Sequence, residues 1–219
     1  MARRSKLKAW IEAMRLHTLP VSLAGIGWAA GIGVMQKSIA LFPLFLCLIF
    51  AVLAQIASNF ANEYFDFRAG LDRPGREGFR RGVSEGDLSA PAMLKATMAT
   101  LLLACCVGLL LVAMYGAWWM YLVGVAVAIG ALAYSAGPFP LSRIGLGEVA
   151  VIAFFGLVPV LLTVRLEGAE VDASVWAGAL GVGLMGANVL VVNYYRDRDD
   201  DAAGGKRTLA VRFGLQAMR

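Results

Sequence analysis
Six stretches of this chain, residues 19–35, 41–61, 93–114, 118–134, 149–164 and 175–192, are apolar over roughly the length needed to cross a bilayer. A hydrocarbon layer about 30 Å thick takes about 20 helical residues to span. The composition points the same way: 59% of residues are hydrophobic, 16% are charged, and the mean hydropathy is +0.70, well away from a soluble domain. The expected fold is all-α, a polytopic transmembrane helix bundle with six spans forming a single domain over residues 1–219.

Charge orients the bundle. With a cytoplasmic N-terminus, all of the 20 Lys and Arg residues except Lys37 and Arg165 fall on the cytoplasmic side, the asymmetry of the positive-inside rule. A different span count would scramble that pattern. The net charge of +5 therefore reflects topology, and no nucleic-acid partner is expected. The basic start MARRSKLK has the form of a secretory signal, but Pro20, Trp28 and five further spans favour a retained first helix. Cys47, Cys105 and Cys106 lie inside spans without metal-ligand spacing and are expected to pack as small apolar residues.

Polar chemistry collects in the cytoplasmic connections. If the second helix runs on to about Ala69, Asn62 and Asp66 of NEYFDFRAGLD share one face at i and i+4, Gly70 stops the helix, and Asp72 can fold back toward them. In NYYRDRDDDAAGGKR, residues 193–207, Asn193, Asp197 and Asp201 recur at i, i+4 and i+8, with Asp200 near that face and Asp199 pointing away. The Asn-x3-Asp unit thus appears at matching ends of the second and sixth spans.

Stacked carboxylates repel by about 1 kcal/mol per close pair even in water, so a cation must hold them. Arg196 and Arg198 could make the second cluster a merely charge-balanced helix end. Two matching clusters at one depth instead favour magnesium, which takes oxygen ligands and is usually held by one or two carboxylates together with substrate phosphates. Arg68, Arg73, Lys206 and Arg207 are placed to neutralise the rest of a diphosphate. An EF-hand starting at Asp197 fails at Ala202 and Thr208, and GGKRT lacks the remainder of a phosphate-binding loop. Glu148 opens the fifth span, where a carboxylate is expensive unless it is functional or sits at a helix N-terminus. Trp118, Trp119 and Tyr121 are expected in an interfacial belt, and His17, without metal-ligand companions, in a structural role.

NEYFDFRAGLD, YSAGPFPLSRIGLGE and NYYRDRDDDAAGGKRTLAVRFG together resemble the UbiA-type intramembrane aromatic prenyltransferases, and most closely their menaquinone branch, the 1,4-dihydroxy-2-naphthoate polyprenyltransferases. The commoner superfamily spacing puts the last Asp of the first motif where Gly70 stands; Asp72 matches the wider spacing of the menaquinone branch. The resemblance implies Mg2+ as cofactor, held by Asp66, Asp72, Asp197 and Asp201. It implies catalytic roles for Asp66, Asp197, Lys206 and Arg207, and substrate contacts from Asn62, Asn193 and Arg68; Tyr134 and Arg143, in the third cytoplasmic segment, are candidates to orient the aromatic acid, beside an interfacial-anchor role for Tyr134 and a topological one for Arg143. The implied partners are a polyprenyl diphosphate, an aromatic acid acceptor and the lipid bilayer of the cell (inner or plasma) membrane, with the active-site loops cytoplasmic. The implied reaction is prenyl transfer with decarboxylation to demethylmenaquinone. The family has nine helices, so the 219-residue chain is expected to lack the last three. The other readings are prenyl transfer to 4-hydroxybenzoate or homogentisate, a non-catalytic membrane protein, and a cation transporter built on the acidic clusters. The transporter predicts carboxylates well inside the spans, and the sequence places none there.

Overall fold
The computed structural model describes residues 5–72, 74 and 79–218. Its elements in chain order are α1 (Lys6–Met14), a 3-10 turn (Leu16–Thr18), α2 (Leu19–Met35), α3 (Leu41–Arg68), α4 (Ala90–Tyr115), α5 (Trp119–Ala133), α6 (Leu141–Ile144), α7 (Gly147–Val151), a π-helical stretch (Ile152–Leu157), α8 (Val158–Leu166), α9 (Ala173–Arg196), α10 (Arg198–Ala203) and α11 (Leu209–Phe213), closed by a 3-10 turn (Leu215–Met218). The fold is an all-α membrane bundle.

Among the described residues, five helices are long and apolar enough to cross a membrane. The fourth expected span, residues 118–134, is a helix of only 15 residues, Trp119–Ala133, or about 22 Å at 1.5 Å per residue. The apolar run is as long as expected, but the helix starts only after the extended Gly116 and ends at Ala133, before the turn at Ser135 that meets Asn62 at the acidic end. At the N-terminus Arg15 takes a left-handed conformation (φ 50°, ψ 54°) and separates the short α1 from α2.

Helices without a hydrophobic drive between them pack where small residues let backbones approach. Gly156 and Gly183 meet in this way: a Cβ on Gly156 would stand 2.4 Å from the Gly183 Cα. The contact falls inside the π-helical stretch, just before Pro159, whose missing N–H frees the Phe155 carbonyl four residues back. Gly25 of α2 packs over that carbonyl, where its Cβ would sit 3.1 Å from the oxygen. Leu102, Leu103, Leu109, Leu122 and Ile129 are exposed, the lipid-facing complement of the packed faces.

One face of α3 is polar along its last three turns, at Gln55, Asn59, Asn62 and Asp66, positions one helical turn apart. It clamps the chain around the Arg15 turn. The Ser22 hydroxyl donates to Gln55 Oε1 at 2.8 Å, Gln55 Nε2 donates to Thr18 Oγ1 at 3.0 Å, and Asn59 Nδ2 donates to the Met14 carbonyl at 2.9 Å. The segment 79–88 is pinned to the same end, because the buried Glu63 accepts from the Val83 N–H at 3.0 Å.

Candidate diphosphate site
Both acidic clusters finish their helices with the same cap. After Asp66, Gly70 takes φ 69°, its N–H donates to the Phe67 carbonyl, and the Leu71 N–H donates to the Asp66 carbonyl at 3.0 Å. After Asp201, Gly205 takes φ 78°, its N–H donates to the Ala202 carbonyl, and the Lys206 N–H donates to the Asp201 carbonyl at 2.9 Å. Each is a paired Schellman closure with glycine supplying the left-handed residue and the aspartate three positions before the helix end. A helix C-terminus carries partial negative charge. Placing a buried aspartate there, twice, creates a demand for cations that a solvated surface would not have.

Lys206 meets that demand. The Gly205 turn brings its side chain back over the cluster, so that Nζ lies 3.1 Å from Asp201 Oδ1 and 3.7 Å from Asp66 Oδ2. Its backbone is fixed because the neighbouring Arg207 N–H donates to the Arg143 carbonyl at 2.7 Å. Arg143 in turn donates through Nη2 to Asp66 Oδ1 at 2.9 Å, to the Phe65 carbonyl at 3.1 Å and to the Ser135 carbonyl at 3.2 Å. Asp66 and Asp201 are almost fully buried, a state that carboxylates tolerate only when paired.

The remaining expected residues fall around this core. Asn62 accepts from Arg15 Nη2 at 3.0 Å and donates to the Ser135 hydroxyl at 3.1 Å. Asp72 is buried and paired with Arg81 Nε at 3.2 Å, so it has folded back, though onto the 79–88 segment. Asp197 sits at the joint between α9 and α10, where its N–H donates to the Asn193 carbonyl at 2.9 Å and its carboxylate pairs with Arg196. Its N–H bond, with that of Asp201 to the Asp197 carbonyl at 2.8 Å, keeps Asn193, Asp197 and Asp201 in register across the joint. Arg198 pairs with Asp199, as in a charge-balanced helix end. The Tyr134 and Tyr194 phenols hydrogen-bond to each other. Arg68 and Arg207 are exposed; Arg73 lies outside the described residues. His17 stacks on Phe79 with ring centroids 4.2 Å apart, and the Arg196 guanidinium lies 5.4 Å from the same ring.

Sequence reasoning missed Arg15, Gln55, Asn59, Glu63 and Arg81. The one-turn recurrence of amides along the apolar α3 was the available signal; the Arg81 pairing left none, since it depends on how a loop folds.

Among the described residues, no three metal-ligating side chains form a ready-made cation site. The donor set nevertheless fits magnesium: two buried carboxylates from different helices converge on a single ammonium, and this ion commonly takes one or two carboxylates and completes its shell with phosphate oxygens and water.

Comparison with known proteins identifies the family. Residues 18–219 match the UbiA prenyltransferase family. The chain is similar to the 1,4-dihydroxy-2-naphthoate octaprenyltransferase of Haemophilus influenzae, 35% identical over 216 residues that cover 95% of this chain and 70% of the relative. It is also similar to the enzyme of that name from Escherichia coli K12, 35% identical over 215 residues covering 96% and 70%. A solved UbiA homolog from Archaeoglobus fulgidus, bound to DMAPP and Mg2+, shares the fold with a TM-score of 0.75 at 17% identity, over 95% of this chain and 70% of that one. The chain belongs to the UbiA prenyltransferase family and is a multi-pass membrane transferase of prenyl groups.

Proposed function
We propose that the protein transfers a polyprenyl group from its diphosphate to 1,4-dihydroxy-2-naphthoate, with loss of the carboxyl group as carbon dioxide, to form the demethylmenaquinone skeleton. The observation that carries this reading is the convergence of Asp66 and Asp201, 135 residues apart, on Lys206. The acceptor is supported by similarity to naphthoate prenyltransferases that share 35% of aligned residues.

In this reading Asp66, Asp72, Asp197 and Asp201 hold magnesium, which when bound stabilises the charge developing on the departing diphosphate. The chain's own groups do the rest. Lys206 supplies a cation at the junction of the two clusters. Arg143 holds Asp66 in place while bracing the end of α3. Arg68 and Arg207, exposed beside the cluster, meet the diphosphate from the solvent side, and Asn62 and Asn193 orient it from one turn deeper. Tyr134 lines the path of the aromatic acid. The bundle keeps water from the allylic cation and accepts the isoprenoid tail. The acidic end lies on the cytoplasmic face of the cell (inner or plasma) membrane, a reading supported by the excess of Lys and Arg on that side.

The test is prenyl transfer in membranes containing this chain, with a polyprenyl diphosphate and dihydroxynaphthoate, 4-hydroxybenzoate or homogentisate as acceptor. Dihydroxynaphthoate is the expected substrate, and a chelator stops the reaction. Asp66→Asn and Asp201→Asn each lower turnover by about 100-fold or more while the variants remain folded. Unchanged turnover in either, or chelator-insensitive transfer, refutes the site.

A further inference from the structure
Among the described residues, each buried carboxylate at the acidic end meets at least one donor, with one exception. Asp66 and Asp201 share Lys206, Asp72 meets Arg81, Asp87 meets Arg80 at 2.8 Å, and Glu63 accepts the Val83 N–H. Glu148, at the start of α7, is equally buried at 7% exposure, yet neither of its oxygens meets a donor from another described residue. An ionised carboxylate is an acceptor only, and burying it without donors costs more than the surrounding packing returns. Such a group keeps its charge only where a ligand supplies the missing donor.

Its surroundings narrow the ligand. The Glu148 carboxylate lies within electrostatic reach of both the Tyr134 and Tyr194 phenols, which hydrogen-bond to each other; Tyr134 in turn senses Asp66, and Tyr194 senses Asp201. The phenol pair is therefore close to both Glu148 and the diphosphate cluster. Gly147 lets Tyr194 come so close: a Cβ there would stand 2.4 Å from the Tyr194 hydroxyl. A carboxylate in this position repels a diphosphate. It attracts a hydroxyl.

We infer that Glu148 is a catalytic residue that accepts the proton of the acceptor's ring hydroxyl during carbon–carbon bond formation. The inference rests on the naphthoate reading above. The carboxyl-bearing ring carbon bonds to the allylic carbon as the allylic C–O bond breaks and its electron pair leaves on the diphosphate. The adjacent hydroxyl gives its proton to Glu148 and becomes a ketone. Loss of carbon dioxide returns the C–C pair to the ring, and the oxygen takes the proton back from the Glu148 carboxylic acid. The proton cycles, so no oxidant or external acid is consumed.

The test compares wild type, Glu148→Gln and Glu148→Asp in the membrane assay, with melting temperature followed in detergent. Glu148→Gln keeps the shape and removes the basicity. It is expected to lower kcat by about 100-fold or more, to leave the KM for polyprenyl diphosphate within about twofold, and to leave the melting temperature unchanged or raised, since an unpartnered charge is gone. Glu148→Asp restores part of kcat. Normal kcat in Glu148→Gln, while wild type turns over dihydroxynaphthoate, overturns the inference and leaves the proposed function standing. Should wild type prefer another hydroxylated ring, the acceptor assignment fails, and kcat of Glu148→Gln on that ring decides the inference. A wild type that prenylates no hydroxylated ring overturns both.

Discussion
The helical run from Gly147 to Leu166 carries a buried carboxylate at each end, Glu148 at the acidic end and Glu167 just beyond the other. Neither meets a hydrogen-bond donor from another described residue, but their settings differ. Glu148 lies near two phenols that are also near the ion-paired aspartates. Glu167 packs against Gly33, whose Cβ would stand 2.8 Å from Oε2, beside the apolar cluster of Ile26, Leu46, Cys47 and Leu166. Burial raises the Glu167 pKa above its ordinary 4.5, so it tends toward the neutral acid. The same side chain, equally hidden, is chemistry at one end and packing at the other, and what surrounds it decides which.

The largest effect that sharpens this contrast comes from Lys206→Met. It removes the ammonium between Asp66 and Asp201 and is expected to lower turnover by about 100-fold, read in the prenyl-transfer assay. Normal turnover would mean that the acidic end does not depend on the convergence.

A matched pair of glycine substitutions comes next. Gly147→Ala drives a methyl group into the Tyr194 hydroxyl and is expected to slow turnover by about 10-fold, since small displacements near reacting groups are costly. Gly33→Ala meets only the flexible end of Glu167; it costs about 1 kcal/mol of stability and leaves turnover per folded molecule unchanged. Equal kinetic loss in both would erase the distinction between the two ends.

The smallest effect is on stability. With its folded pKa raised, Glu167 binds its proton more tightly in the native state, so its contribution is fullest below the ordinary value of 4.5 and is lost as pH rises through the folded value. Glu167→Gln is therefore expected to raise the melting temperature at neutral pH and to change it little below about pH 4, with turnover unaffected. A variant less stable than wild type at neutral pH would show that ionised Glu167 is partnered.

The helices, the positions of the two clusters and the glycine stops were readable in the sequence because they rest on local rules. Apolar run length sets the spans, a four-residue spacing puts Asn62 above Asp66, and glycine closes each acidic helix. Span length was readable less sharply, since the 118–134 run yields only 15 helical residues. The choice of cation was not readable. Arg196 and Arg198 are the nearest arginines to the second cluster, and they do pair with Asp197 and Asp199. The buried Asp201 instead takes Lys206, and Asp66 takes Lys206 and Arg143 from far along the chain.

By itself, then, the sequence determined a helical membrane protein with two carboxylate clusters at one end, because hydrophobic length and helical periodicity are properties of short segments. The tertiary structure alone decided which carboxylates are buried, which cations they share, and that Glu148 is left beside two phenols without a donor. Those outcomes depend on the docking of residues 135–147 and 204–208 against the end of α3, and the energy of a buried charge depends on every group brought within a few ångströms of it.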